Sequence, residues 1–203
     1  MGYIIPVLLG YLLGSSNMAY YISRYQKKDI RSGGSGNLGA SNATILLGWK
    51  AGVTVALHDI GKAALAVLLA KLLFAEMEYA SAAAGVAAVY GHIFPFYLKF
   101  RGGKGLASFW GMTVALNWKL GLIAGIVIIL ATLITDYIVI GTFSTIALVP
   151  SYTGLITHNW ILALILAVAS LVIFYKHWEN IGRLIRKEEI GLRSTIRGDK
   201  RMK

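Results

Sequence analysis

Seven long apolar runs, at 3–23, 51–74, 79–98, 105–117, 120–135, 137–156 and 159–175, make up most of this sequence. A helix needs about 20 residues to cross a ~30 Å hydrocarbon core, and several of the runs reach that length. Run 105–117 is short, and is expected to be extended by the glycine loop before it or to enter at an angle. The 203-residue chain is 57% hydrophobic and only 14% charged, whereas a soluble domain carries about a quarter charged residues. It contains no cysteine, so disulfides, cysteine-ligated metals and a cysteine nucleophile are excluded. The pattern predicts an all-α integral membrane protein, one domain over 1–203, with about seven transmembrane helices.

The positions of Lys and Arg set the orientation. Of the 20, five lie in 24–50, three in 99–104 and nine in 176–203, while the turn at 75–79 carries Glu76 and Glu78. With the basic segments inside, seven spans place the N-terminus outside and the C-terminus in the cytoplasm. The net charge of +11 then follows from topology and from attraction to anionic headgroups; no nucleic acid is needed to explain it. Segment 178–190, with Ile181, Leu184 and Ile185 on one helical face, reads as an interfacial helix. Residues 191–203 read as a mobile basic tail, so that 176–203 lies along the membrane surface.

Two glycine-bearing loops then fall on the cytoplasmic side. The first runs Gly33-Gly34-Ser35-Gly36-Asn37-Leu38-Gly39-Ala40-Ser41-Asn42. Its Gly34-x-Gly36-x-x-Gly39 spacing satisfies the dinucleotide pattern, but that pattern requires a preceding strand; an apolar run and a charged turn precede it here. The glycines can instead gather backbone N–H groups into an anion nest, and a helix opening near Asn42 adds a positive terminus. A plain flexible turn explains the spacing equally well. The second loop is Arg101-Gly102-Gly103-Lys104-Gly105. It is no nucleotide loop, because Leu98 stands where the first Walker glycine belongs and Gly105 follows Lys104. Lys99 and Arg101 read as membrane-surface anchors. Lys104, between glycines, is placed for a phosphate.

Asp59 and Lys62 lie inside the second run, three residues apart on one helical face. A lone charge there costs roughly 2.5–3.5 kcal/mol, so the pair is expected to neutralise itself. It is either a strut within the membrane or a support beneath the phosphate loops. None of the four histidines has an acidic residue five positions on, which excludes the His-x-x-x-x-Asp acyltransferase arrangement. His92, before Pro95, reads as a packed interfacial residue and His158 as an unremarkable outer-turn residue. His177, in Lys176-His177-Trp178-Glu179-Asn180, sits at the cytoplasmic end of the last run. No histidine pair has metal-ligand spacing with carboxylates, and neither metal nor cofactor is expected.

These segments, in this order, resemble the motifs of the bacterial acyl-phosphate:glycerol-3-phosphate acyltransferase family, PlsY. The first motif matches Asp29-Ile30-Arg31 and Gly34–Asn42, and the second matches Gly91-His92-x-x-Pro95 with Phe100–Ala107. The third is similar to His177-x-Glu179-Asn180-Ile181-x-Arg183-Leu184. Tyr11–Ser15 and Asp59-x-x-Lys62 also fit, and the likeness covers nearly the whole chain. It implies a monomeric seven-helix enzyme of the bacterial inner membrane that acylates the sn-1 hydroxyl of glycerol 3-phosphate. The donor would be an acyl phosphate, and the products lysophosphatidic acid and phosphate. Matched onto this chain, Ser35, Lys104, His177 and Asn180 would be catalytic. Gly34, Gly36, Asn37, Gly39, Ser41, Asn42, Gly102, Gly103 and Thr142 would bind phosphate or substrate, and Asp59 and Lys62 would support them.

Three positions depart from the family pattern. Ile45 stands where the family has Arg, three residues after Asn42. Of the family's Tyr-Val-Ser-Leu-x-Ser segment only Tyr137 and a hydroxyl, Thr142, survive, and Lys187 replaces a glycine. Arg offers phosphate a bidentate fork that Ile cannot, at a cost of about 2–5 kcal/mol where the partner charge is buried. Either Arg31 or Lys50 fills in, or the donor or acceptor differs, or the chain is an inactive paralogue. A small phosphate transporter is the competing class: it would use Asp59, Lys62 and loops at helix ends. No inverted repeat supports it.

Overall fold

The computed structural model describes residues 2–197, and every regular element among them is helical. In order these are α1 (Ile4–Ser15), α2 (Met18–Tyr25), α3 (Ala40–Leu47), α4 (Trp49–Leu73), α5 (Ala80–Ile93) and α6 (Leu106–Leu116). Then come α7 (Trp118–Thr135), α8 (Ile138–Leu155), α9 (Trp160–Lys176), α10 (Trp178–Ile185) and α11 (Leu192–Arg197). Each apolar run is helical, and successive long helices reverse direction. On one face the connections are tied together by Leu38 N donating to Gly102 O at 3.4 Å and Leu192 N to Asp136 O at 2.7 Å. On the other, Lys71 Nζ donates to Ala115 O at 2.6 Å, joining the end of α4 to the end of α6.

Four helices have the length and hydropathy to cross a membrane: α4, α5 continued through Leu98, α7 and α8. α9 and α10 make a fifth if the pair, bent by 49°, is one span. α1 and α6 have 12 and 11 residues, so at ~1.5 Å per residue they rise only about 18 and 16 Å. Run 3–23, expected as one span, is broken at Ser16–Asn17. The Asn17 side chain accepts from Tyr20 N at 2.9 Å and starts α2, while Lys62 takes the Ser16 carbonyl at 2.6 Å. Exposed tryptophans begin α4, α7, α9 and α10, at Trp49, Trp118, Trp160 and Trp178. Trp49 and Trp178 belong to one face and Trp118 and Trp160 to the other, which is the arrangement of two interfacial aromatic belts.

The outer surface is apolar, with Leu68, Leu72, Ile134, Leu164 and Leu171 turned outward. Lipid removes the usual drive to bury such residues, so the helices must hold together by close packing. α1 and α5 achieve it backbone to backbone. A Cβ on Gly10 would lie 2.0 Å from Ala84 O, and one on Gly14 would lie 2.0 Å from Ala88 O. The inner core, Phe109, Met112, Val149, Leu166 and Ile173 among others, closes the centre of the bundle.

At the C-terminus the expected interfacial helix is α10, which ends at Ile185. Within 191–197, which the sequence reads as part of a mobile tail, α11 forms. There α11 is anchored by Arg193 N, which donates to Asp136 Oδ1 at 2.8 Å, and by Leu192 N on the Asp136 carbonyl. Residues 198–203 of that tail lie outside the described residues.

Candidate active site

Asn42 shapes the first loop. Its Oδ1 accepts from Ser35 N at 2.9 Å, and its Nδ2 donates to Ile30 O at 2.6 Å and Asn37 O at 2.9 Å. A Cβ on Gly34 would lie 2.2 Å from that Oδ1, and φ there is +57°, so glycine is required twice over. Asn37 Nδ2 donates to Ser35 Oγ at 2.7 Å, and Asn37 Oδ1 accepts from Gly39 N at 2.9 Å. Ser35 thus receives a hydrogen bond and keeps its own hydroxyl hydrogen for a ligand.

The second loop folds back on the end of α5. Gly102 N donates to Ile93 O at 3.0 Å and Gly103 N to His92 O at 3.1 Å. A Cβ on Gly102 would lie 2.0 Å from His92 O, and one on Gly103 would lie 2.1 Å from His92 Nε2. Several of the loop N–H groups expected to gather round an anion therefore have partners within the protein. The N–H groups of Ser35, Gly36, Gly39, Gly102 and Gly103 are already spent on the protein. α3 and α6 follow Gly39 and Gly105 with no side-chain cap among the described residues, which leaves their first-turn N–H groups open to an anion as well. An open helix N-terminus favours an anion through its unpaired N–H groups and its dipole.

The third arm comes from the junction of α9 and α10. His177 Nδ1 lies 2.8 Å from Ile173 O; a carbonyl only accepts, so Nδ1 carries the proton and Nε2 is left as an acceptor. The His177 ring meets Phe143 edge to face at 6.1 Å. Neighbouring Thr142 is buried on α8, with its hydroxyl on Ile138 O at 3.0 Å. Lys104 donates to Asn180 Oδ1. Asn180 Nδ2 in turn donates to Glu189 Oε1 at 2.6 Å, and Arg183 Nε to Glu189 Oε2 at 2.7 Å. Glu189 therefore fixes which end of the Asn180 amide faces Lys104.

Burial, with the Arg183 and Lys176 charges, pushes the Lys104 ammonium down to about 8, against the opposing pull of Glu189 and Glu179. The cations around Lys104 thus come from the third arm. Arg31, one proposed replacement for the family arginine, is folded onto Asp29 at 3.2 Å, and Lys50 stacks over Trp49 at 5.9 Å. Ile45 is half-buried on α3.

The structure brings Lys104 and Asn180 into contact and sets the His177 ring against Phe143, the residue after Thr142. It sets the Ser35–Asn37 loop against Gly102 through Leu38. Ser41 is exposed in the first turn of α3, and Asn42 is fully buried as the staple of its loop. Asp59 and Lys62 pair at 2.7 Å, almost wholly buried. Two residues escaped sequence reasoning. Glu189 was absorbed into an amphipathic segment with no spacing signal of its own. His92, expected to be a packed interfacial residue, is buried against Lys62, 3.0 Å from Nδ1; its place directly after Gly91 in the second motif was the only signal. Lys187, where the family has glycine, adopts φ +59°, the conformation that favours glycine.

Three chain segments meet here through the Leu38–Gly102 and Lys104–Asn180 contacts, with no nucleophile–base hydrogen bond among the described residues. Residues 4–187 match the sequence family described as glycerol-3-phosphate acyltransferase. The chain is 38% identical over 207 residues to Glycerol-3-phosphate acyltransferase 1 of Oceanobacillus iheyensis, covering 97% of this chain and 98% of that one. It is also 38% identical over 200 residues to the glycerol-3-phosphate acyltransferase of Thermoanaerobacter pseudethanolicus, covering 96% and 98%. Its fold is similar to the crystal structure of PlsY, an integral membrane glycerol 3-phosphate acyltransferase, in its glycerol 3-phosphate form. There the TM-score is 0.91 and the identity 28%, over 98% of this chain and 100% of that one. The lysophosphatidic acid form of PlsY matches at a TM-score of 0.85 and 29% identity, over 94% and 95%. With motifs, fold and whole-length similarity in agreement, this chain belongs to the glycerol-3-phosphate acyltransferase family.

Proposed function

We propose that this protein transfers an acyl group from an acyl phosphate to the sn-1 hydroxyl of glycerol 3-phosphate, the first step of phospholipid synthesis. The observation that carries the reading is Lys104, held by Asn180 beside the uncapped start of α6. A phosphate in this place would meet an ammonium, first-turn N–H groups and the Ser35 hydroxyl. The relatives' names, and the two ligands in the PlsY structures, support glycerol 3-phosphate as acceptor and lysophosphatidic acid as product.

In the reaction the sn-1 oxygen attacks the carbonyl carbon of the acyl phosphate, and the carbon–oxygen bond to phosphate breaks. Inorganic phosphate leaves and takes up the hydroxyl proton. An acyl phosphate is already an activated anhydride, so the protein need only align the partners and stabilise the charge that develops. Lys104 serves the departing phosphate; His177 Nε2 and Asn180 orient the acceptor; Gly102 and Gly103 let the loop that carries Lys104 pack closely on His92. The chain is read as a monomer crossing the bacterial inner membrane seven times, N-terminus outside, with the site open to the cytoplasm. The positive charge of the three loop segments supports that orientation.

The test is purified protein in lipid with palmitoyl phosphate and glycerol 3-phosphate, following both products. Lysophosphatidic acid and phosphate appearing in equal amounts is the expected result. Uptake of phosphate into vesicles without product would favour a transporter. Neither product from folded protein would point to another acceptor, with Ile45 the first suspect.

A further inference from the structure

A group of ionisable side chains buried under the second loop has no part in the chemistry above. Lys62 Nζ donates to Ser16 O at 2.6 Å and lies 3.0 Å from His92 Nδ1 and 2.7 Å from Asp59 Oδ1. All three side chains are almost wholly buried. An ammonium has only hydrogens to offer, so its contact makes His92 Nδ1 an acceptor. Asp59 Oδ1 lies 3.2 Å from the same nitrogen, but no donor reaches it in hydrogen-bonding alignment among the described residues. The ring proton is therefore on Nε2. That end of the imidazole abuts Gly103, where an added Cβ would lie 2.1 Å from Nε2 and 2.6 Å from Cε1. The His92 carbonyl holds Gly103 N–H as well, at 3.1 Å. His92 thus touches the residue before Lys104 by both ring and backbone.

We infer that His92 is a positioning residue for the phosphate loop: the Asp59–Lys62 pair fixes it in the Nε2–H tautomer, and it seats Gly103 so that Lys104 meets the phosphate. This rests on the reading of the second loop as a phosphate site. It gives the intramembrane charges a function beyond neutralising each other. Removing Lys62 would free the tautomer, and removing the ring would leave Gly103 without its backing.

Two experiments test it. In histidine-¹⁵N-labelled wild-type protein, the signal assigned to His92 by its loss in His92→Asn should show Nε2 protonated and Nδ1 bare. Adding inorganic phosphate or glycerol 3-phosphate should shift that signal. An Nδ1–H tautomer, or a signal indifferent to phosphate, would overturn the proposal without requiring any active variant.

The second is a double-mutant cycle. Gly103→Ala should lower kcat/KM at least about thirtyfold in the wild type, because its methyl meets the ring, yet less than about threefold in His92→Asn, where the ring is gone. Equal losses in both backgrounds would contradict it. A wild type that makes no product but still shows the phosphate-dependent shift would refute the acyltransferase reading and leave the role of His92 supported.

Discussion

Lys104 and Asn180 are joined side chain to side chain across 76 residues of sequence, linking the loop before α6 to the first turn of α10. That contact closes the site. It holds a partly buried ammonium beside the uncapped start of α6, and Glu189, from beyond α10, fixes the orientation of the amide that holds it.

The first prediction concerns this ammonium. Lys104→Ala should reduce kcat/KM by about 10³-fold, the loss expected for a preorganised charge at a reacting phosphate. Yield and elution volume in detergent should not change, because Lys104 closes the site and does not build the bundle. Near-normal turnover by the variant would remove Lys104 from the chemistry.

The pH dependence follows from the same group. Lys104 in the free enzyme titrates at about 8, and kcat/KM reports free-enzyme groups. Its positive charge is present below that pH and lost above it, so kcat/KM should fall as pH rises past 8. Glu189 holds the ammonium up, so Glu189→Gln should move the fall to lower pH. In Lys104→Arg the fall should disappear from the accessible range, since guanidinium stays charged beyond about pH 12. Rate profiles from pH 6 to about 10 would read the wild type and both variants.

How much was legible in the sequence depends on where the cause lies. The apolar runs and the Gly34–Asn42 and Gly102–Lys104 loops announce themselves, because lipid imposes local composition and close packing on Asn42 and His92 requires glycine. The break at Ser16–Asn17 does not, because part of its cause is Lys62, a partner far along the chain. The same is true of His92 and Glu189, whose meaning comes from Gly103 and Asn180. The free N–H groups were only partly legible. Spacing shows that glycines can form a nest but not that the Ile93 and His92 carbonyls have claimed the Gly102 and Gly103 donors.

Packing in lipid gives a prediction on stability. Gly14→Val would drive a side chain into Ala88 O, so it should destabilise the α1–α5 contact by about 1–3 kcal/mol or more. Gly61→Ala, on α4 with open space around the added carbon, should be neutral or stabilise by up to about 1 kcal/mol. Thermal unfolding of both in one detergent would check the contrast.

The most direct test of the central claim is an initial-rate experiment with acyl phosphate and glycerol 3-phosphate both varied. Direct transfer between two substrates held in one site predicts intersecting reciprocal plots, with phosphate released only when the acceptor is present. Parallel plots, with a burst of phosphate in its absence, would mean an acyl-enzyme intermediate and would contradict a site that works by positioning and charge alone.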